Sequence, residues 1–158
     1  MKPTKISALI SYAVATSIIG AFVAELLVRS GAPIPVSPTT LVAVLPFISV
    51  SLVTFAWPIL KYRQAVRARL EQAKKDATSS TGSQAPKRVD PFYAYRLLLL
   101  AKATAVSGTL FLGWHFGVLI FQVASPVVAG ALLPRSISGC VASLVMAIAG
   151  LIVERICK

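Results

Sequence analysis

The chain alternates between long apolar stretches and short polar connections. Four stretches of mostly apolar residues each reach the ~20 residues that a helix needs to cross about 30 Å of hydrocarbon. We therefore predict an all-α membrane protein with four transmembrane helices in a single integral membrane domain, residues 1–158. The predicted spans cover residues 6–28, 40–60, 92–121 and 137–157.

The connection between the second and third spans, residues 61–90, is strongly basic and carries half of the cationic side chains. Apolar residues recur in it at helical spacing from Ile59 to Ala73, among Lys, Arg and Gln. This pattern predicts an amphipathic helix near the lipid headgroups, which either continues span two or breaks from it. Residues 77–86 are low in apolar content, so we expect them to be flexible. The candidate lipid-facing or partner-facing cations are Lys61, Arg63, Arg67, Arg69, Lys74 and Lys75.

Prolines mark the other irregular positions. Pro46 interrupts span two and predicts a kink, because it removes one backbone hydrogen bond. Asp90 followed by Pro91 predicts a helix start, with Asp as the N-cap. The connection at residues 122–136 is apolar between two prolines, so we expect it to lie at the outer interface or to pack against protein.

The distribution of cations predicts the orientation. All but three of the sixteen lysine and arginine residues lie before span one, between spans two and three, in the first turns of span three, or at the end of span four. The positive-inside rule therefore places both termini in the cytoplasm. The first apolar run exceeds the ~7–15 residues of a signal-peptide core, and we interpret it as an uncleaved anchor.

Composition supports the membrane class. The chain is 56% hydrophobic with a mean hydropathy of +0.79, which argues against a soluble globular protein. The net charge of +11 does not predict nucleic-acid binding, because the positive residues flank the spans. The two cysteines, Cys140 and Cys157, lie about 25 Å apart on one predicted helix and cannot pair with each other.

Small residues form stripes on three of the spans. In span three, Gly113 and Gly117 have the small-xxx-small spacing of close helix contacts. In span one, a small and polar stripe (Ser7, Ser11, Ala21 and Glu25) is expected to face other helices. The clearest stripe, in span four, lies within about 80° of the helix circumference and is predicted to be a packing surface. It consists of Gly139, Ser143, Ala147, Gly150 and Glu154.

Ionisable side chains within or beside the spans are the candidate functional positions, because a charge in hydrocarbon is costly. They are Glu25, Lys102, His115, Glu154 and Arg155. Glu25 has Arg29 at i+4, so an interfacial ion pair is the simplest interpretation, and an ion-coupling carboxylate is the alternative. Lys102 either snorkels to phosphate or pairs with Glu154, and we favour the pair. His115 is predicted to be a hydrogen-bonded interfacial histidine, with a pH sensor or a ligand as the alternative.

No pattern in the chain predicts catalysis. The single histidine has no Asp, Glu or Cys at metal-ligand spacing. No glycine-rich phosphate loop, paired carboxylates or nucleophile elbow is present in the sequence. We therefore predict no catalytic, cofactor-binding or metal-binding residues, and a protein that is not an enzyme.

Three segments, read together, carry a resemblance to a known family. They are Met1-Lys-Pro-Thr-Lys5, Arg96-Leu-Leu-Leu-Leu-Ala-Lys-Ala103 and Gly150-Leu-Ile-Val-Glu-Arg155. In them the chain resembles an uncharacterised family of small actinobacterial four-helix membrane proteins, known as a domain of unknown function. The resemblance implies a bacterial plasma-membrane protein with no assigned activity and supplies no catalytic residues. Lys102, Glu154 and Arg155 match the family pattern, whereas a tyrosine is expected in place of His115.

The leading functional hypothesis is a non-enzymatic accessory or scaffold subunit of the plasma membrane. It would pack against a larger integral membrane protein through its small-residue stripes, while its basic segment contacts anionic lipid headgroups. The alternative is a small homo-oligomeric transporter or channel. A lipid-modifying enzyme is a third possibility, for which the sequence offers no residue constellation.

Overall fold

The computed structural model describes residues 4–75, 90–125 and 132–157. These residues form four helices: α1 (Ile6–Arg29), α2 (Thr39–Lys75), α3 (Pro91–Ala124) and α4 (Leu133–Ile156). Each helix is long and apolar enough to cross a membrane, and the described residues contain no strand. The prediction of an all-α protein with four spans is confirmed.

Helix α2 is longer than the predicted span. It runs without a break for 37 residues, about 55 Å, and therefore includes the first part of the basic connection. The amphipathic segment is thus a continuation of span two. Pro46 lies inside the helix as predicted, and Pro58 is a second interior proline. Each of them removes one backbone hydrogen bond from the helix.

The helix ends follow local rules. Gly31 has a φ of +80° just beyond α1, and the amides of Gly31 and Ala32 donate to the carbonyls of Val28 and Leu27. This is a Schellman motif, which requires a residue that tolerates positive φ. The predicted cap of α3 is confirmed, because the Asp90 carboxylate accepts a hydrogen bond from the Phe92 amide at 2.9 Å.

The predicted apolar connection at residues 122–136 is shorter than expected. Its first residues continue α3 to Ala124, and its last residues belong to α4, which begins at Leu133. Pro134 lies in the first turn of α4, where a missing amide hydrogen costs nothing, so it does not mark the loop boundary. The expectation for residues 126–131 falls outside the described part of the chain.

Helix α3 is the centre of the arrangement. It packs against α1 on one side and α4 on the other, while α2 packs mainly on α4 and touches α3 only slightly. Within the described residues, α1 makes no close contact with α2. The main core cluster joins α2, α3 and α4 through Leu52, Ala56, Ile59, Leu97, Ala101 and Val153.

The outer surface of the bundle is apolar. Phe22, Phe47 and Val123 are 64%, 71% and 72% exposed, which suits side chains that face lipid. We call the end that contains Thr4, Arg63 and Arg155 the basic end, and the end that contains Arg29 and Arg135 the opposite end. This is a multi-pass membrane protein.

Candidate functional site

The small-residue stripe of α4 packs directly against α3. A Cβ added at Gly150 would lie 2.6 Å from the Ala105 amide nitrogen, and one at Gly108 would lie 2.6 Å from the Ala147 nitrogen. Ser143 is fully buried between the same helices. The backbones of α3 and α4 therefore approach so closely that only small side chains fit between them.

The glycine pair of α3 packs against α1. A Cβ at Gly113 would collide with Ala13 and Thr16, and one at Gly117 would collide with Ser17 and Ala21. Helix α3 thus uses one face for α4 and another for α1. We call these two lines of close backbone contact the α1–α3 seam and the α3–α4 seam. They hold α3 between its neighbours and position the polar side chains described below.

The stripe predicted on α1 was wrong at Ser7 and Ser11, although its member Ala21 does pack against α3. Ser7 and Ser11 are exposed, and the Ser11 hydroxyl donates to the Ser7 carbonyl at 3.0 Å. Because a hydroxyl can satisfy itself on its own helix, it does not have to face another helix. The face that packs is instead marked by the buried residues of α1, which are Leu9, Gly20 and Ala24.

Glu154 anchors a polar cluster at the basic end. Its carboxylate is only 4% exposed and lies 3.9 Å from the Lys102 Nζ, so the predicted pair is present. The Thr4 amide donates to Oε1 at 3.0 Å, and the Thr4 hydroxyl donates to Oε2 at 2.5 Å. The cluster therefore ties the residues before α1 to both α3 and α4.

His115 is the centre of a second polar cluster. It is 3% exposed, and its Nδ1 lies 2.7 Å from the Phe111 carbonyl oxygen. Its Nε2 lies 2.7 Å from the Ser37 hydroxyl, while Ser143 approaches Nδ1 at 3.2 Å. A carbonyl only accepts, so Nδ1 carries a proton, and in the neutral ring Nε2 accepts from Ser37. The predicted hydrogen-bonded histidine is present, and it links α3, α4 and the connection before α2.

A cleft opens beside His115 between α1 and α2, with α3 as its floor. It has a volume of about 470 Å³ and is mainly apolar. Ile19 lies on the α1 side, Leu41 on the α2 side and Leu110 on the floor. The hydroxyl residues Thr16, Ser37 and Ser107 are also in its lining. The cleft exists because α1 packs on α3 and makes no close contact with α2 in the described residues.

The remaining ionisable residues lie apart from these clusters. Glu25 and Arg29 form the predicted pair, at 2.5 Å between Oε1 and Nη2, on an exposed surface. An exposed pair of this kind contributes little stability. Lys102 and His115 are not brought together, because each belongs to a different cluster.

The basic residues of α2 differ in what they contact. The Lys61 ammonium lies 5.9 Å from the centre of the Trp57 ring. Arg63 donates from Nη1 to the carbonyls of Arg155 and Ile156, at 2.8 and 2.6 Å. A cation at this place satisfies the last carbonyls of α4 and matches the negative end of its helix dipole. Arg67 and Arg69 lie further along α2, while the side chains of Lys74 and Lys75 are outside the described part.

Sequence reasoning missed Thr4, Ser37 and Gln122. Thr4 and Ser37 meet Glu154 and His115 across 150 and 78 residues, and no local pattern signals such contacts. Gln122 is 2% exposed, and both of its amide atoms lack a partner among the described residues. The available signal for Gln122 was a polar side chain among apolar residues directly after the predicted end of span three.

The described residues contain no group of three or more His, Cys, Asp or Glu side chains that could hold a metal ion. No curated protein and no solved structure matches the chain. The family model described as "Protein of unknown function (DUF3180)" matches residues 9–158. That match covers nearly the whole chain, from within α1 to the C-terminus, and the protein therefore belongs to this family.

Proposed function

We propose that this protein is a non-enzymatic accessory subunit of a membrane complex, and that the cleft between α1 and α2 receives a transmembrane helix of a larger membrane protein. The observation that carries the proposal is the one-sided packing of α1. This helix packs on α3 and leaves its side toward α2 open along the cleft. An open cleft between two spans is suited to accept a further helix.

The side chains of the cleft have the chemistry of helix association in lipid. Apolar burial supplies little driving force there, so helices associate through close packing and interhelical hydrogen bonds. Thr16 and Ser107 are small hydroxyl residues that line the cleft, Thr16 from α1 and Ser107 from the floor on α3. A hydroxyl that donates to its own helix can still accept a bond from a neighbouring helix, and Ser107 lines the cleft where such a neighbour would lie.

The interior of the bundle disfavours a transport route through a single chain. Between the Glu154 and His115 clusters, the α3–α4 seam consists of backbone contacts at Gly150, Gly108 and Ala147. Such contacts leave no room for water or an ion. The alternative of a homo-oligomeric transporter would therefore need its pathway between copies of the chain.

The proposed location is the bacterial plasma membrane, with both termini in the cytoplasm. The basic end carries Arg63, Arg67 and Arg155, whereas Arg29 and Arg135 lie at the opposite end. The positive-inside rule favours the basic end as the cytoplasmic one.

Photo-crosslinking in native membranes tests the proposal. A photoreactive amino acid at Ile19 or Leu41 would sit in the cleft, and one at Val145 would sit on the exposed surface of α4 as a control. We expect the two cleft positions to give the same crosslinked product with a larger membrane protein, and Val145 not to give it.

Two results would count against this function. Crosslinks from the cleft to a second copy of the chain alone would favour the homo-oligomeric alternative. Equal yields of the larger product from all three positions would mean that the cleft is not the docking site.

A further inference from the structure

A second groove lies at the basic end, between α2 and the end of α4. Its volume is about 320 Å³, and it is open on one side. Arg63 and Arg67 line it from α2, one turn apart, and Arg155 lines it from α4. Of the described residues in its lining, none is acidic. Three arginine side chains therefore line one space, and no carboxylate is among its described lining residues.

The guanidinium of Arg63 is held in place. Nη1 donates to two carbonyls at the end of α4, as described above. Both of these bonds use Nη1, and a guanidinium has further donors on Nε and Nη2. Arg63 thus presents a fixed donor fork beside the exposed side chains of Arg67 and Arg155. Such forks match the geometry of phosphate oxygens.

The rest of the groove is apolar. Leu60, Ile152 and Ile156 line it, and Ile152 is 49% exposed on the side of α4 that faces away from the core. Leu60 is the last residue of the predicted span 40–60, and Ile152 and Ile156 lie in the last turns of α4. The groove therefore lies where hydrocarbon is expected to give way to headgroups. A ligand that fits both parts has a phosphate next to an acyl chain.

We propose that this groove is a binding site for an anionic phospholipid. The three arginines contact the headgroup phosphate, and an acyl chain lies along Leu60 and Ile152. Basic pockets between transmembrane helices are suited to such headgroups, and each arginine near an anionic membrane surface strengthens binding. The site is independent of the cleft between α1 and α2, which lies beside His115 in the other half of the bundle.

The test uses the purified full-length chain in a neutral detergent, with native mass spectrometry to count bound lipid. The probes are phosphatidylglycerol, phosphatidylcholine and inorganic phosphate. The variant Arg67→Gln/Arg155→Gln removes two groove cations and keeps Arg63, which holds the end of α4. The control Lys5→Gln/Arg96→Gln removes two exposed cations at the basic end that do not line the groove.

We expect the wild type to bind phosphatidylglycerol more tightly than phosphatidylcholine. The groove variant should lose at least about tenfold in affinity for phosphatidylglycerol, while the control variant changes by less than about twofold. Equal losses in the two variants would overturn the proposal, since binding would then follow surface charge alone. Inorganic phosphate that binds as tightly as the lipid would also overturn it, in favour of a free-anion site.

Discussion

The carboxylate of Glu154 is buried, yet it is surrounded by donors. The Thr4 amide, the Thr4 hydroxyl and the Lys102 ammonium all lie within 4 Å of it. A buried charge without partners is strongly unfavourable, so this arrangement makes the ionised form tolerable at the edge of the hydrocarbon. The cluster also explains why the chain places a lysine one-third of the way along span three.

The Lys102–Glu154 pair predicts coupling between the two residues. Lys102→Met leaves Glu154 with Thr4 as a donor, and Glu154→Gln leaves Lys102 partly exposed and able to turn toward headgroups. We therefore expect a modest coupling of about 1 kcal/mol, with the double variant less destabilised than the sum of the single variants. A double-mutant cycle of stability in detergent measures it. Strictly additive losses would refute the pair.

Among the elements, α3 carries the most specific packing. It faces α1 through Gly113 and Gly117, and α4 through Gly108. Dispersion forces between closely packed backbones stabilise helix contacts in lipid, where apolar burial contributes little. The stability of the bundle should therefore depend more on these glycines than on its large exposed side chains.

Because the stability of the bundle should depend on these glycines, a larger side chain in the α3–α4 contact should destabilise it. In Gly150→Val, the new side chain would meet the backbone of α3 at Ala101 and Ala105, which cannot move aside cheaply. We expect a loss of stability of about 1–3 kcal/mol or more. Ala103→Val, at an exposed position on α3, should change stability by less than about 0.5 kcal/mol. Thermal unfolding in detergent compares them, and equal shifts would show that the seam is not closely packed.

Part of this arrangement could be predicted from the sequence. The α4 stripe and the Gly113–Gly117 pair could be predicted, because small residues on one face of a transmembrane helix allow another helix to pack closely there. The packed face of α1 could not be predicted in this way, since the Ser11 hydroxyl donates to the Ser7 carbonyl of the same helix and needs no partner on another helix. Hydrogen-bonding residues on a transmembrane helix therefore do not identify its buried face by themselves.

Other features depend on contacts between distant parts of the chain. The length of α2 could not be predicted, because an amphipathic pattern is the same whether a helix continues or breaks at the interface. The role of Arg63 at the end of α4 requires the interior of α2 to lie at the level where α4 ends. The cleft beside His115 requires knowledge of which helices do not touch, and hydropathy carries no such information.

On the scale of the whole molecule, cations are concentrated at one end. Arg63, Arg67 and Arg155 surround the proposed lipid site there, and Lys5 lies at the same end, beside the Glu154 cluster. Topogenic charge and lipid binding thus use the same residues. By the positive-inside rule, this asymmetry is the basis of the proposed orientation.

Cysteine labelling checks the orientation. In a background with Cys140 and Cys157 replaced by Ser, Gln72→Cys lies on the exposed end of α2 and Ser30→Cys lies just beyond α1. A membrane-impermeant maleimide added to intact cells should label Ser30→Cys, and should label Gln72→Cys only after the membrane is opened. Labelling of Gln72→Cys in intact cells would reverse the proposed topology.

The proposed function depends on what occupies the cleft between α1 and α2. The most direct test is purification of the tagged chain from native membranes, comparing the wild type with Ser107→Phe and Val145→Phe. The first variant fills the cleft, and the second places the same side chain on the exposed surface of α4. We predict that a larger membrane protein co-purifies with the wild type and with Val145→Phe in the same fixed ratio. With Ser107→Phe, we predict that the amount of the larger protein recovered per chain falls at least about tenfold, which corresponds to a loss of about 1.4 kcal/mol of binding free energy. The thermal stability of this variant should be unchanged. Recovery of the larger protein with Ser107→Phe at the wild-type ratio would contradict the account.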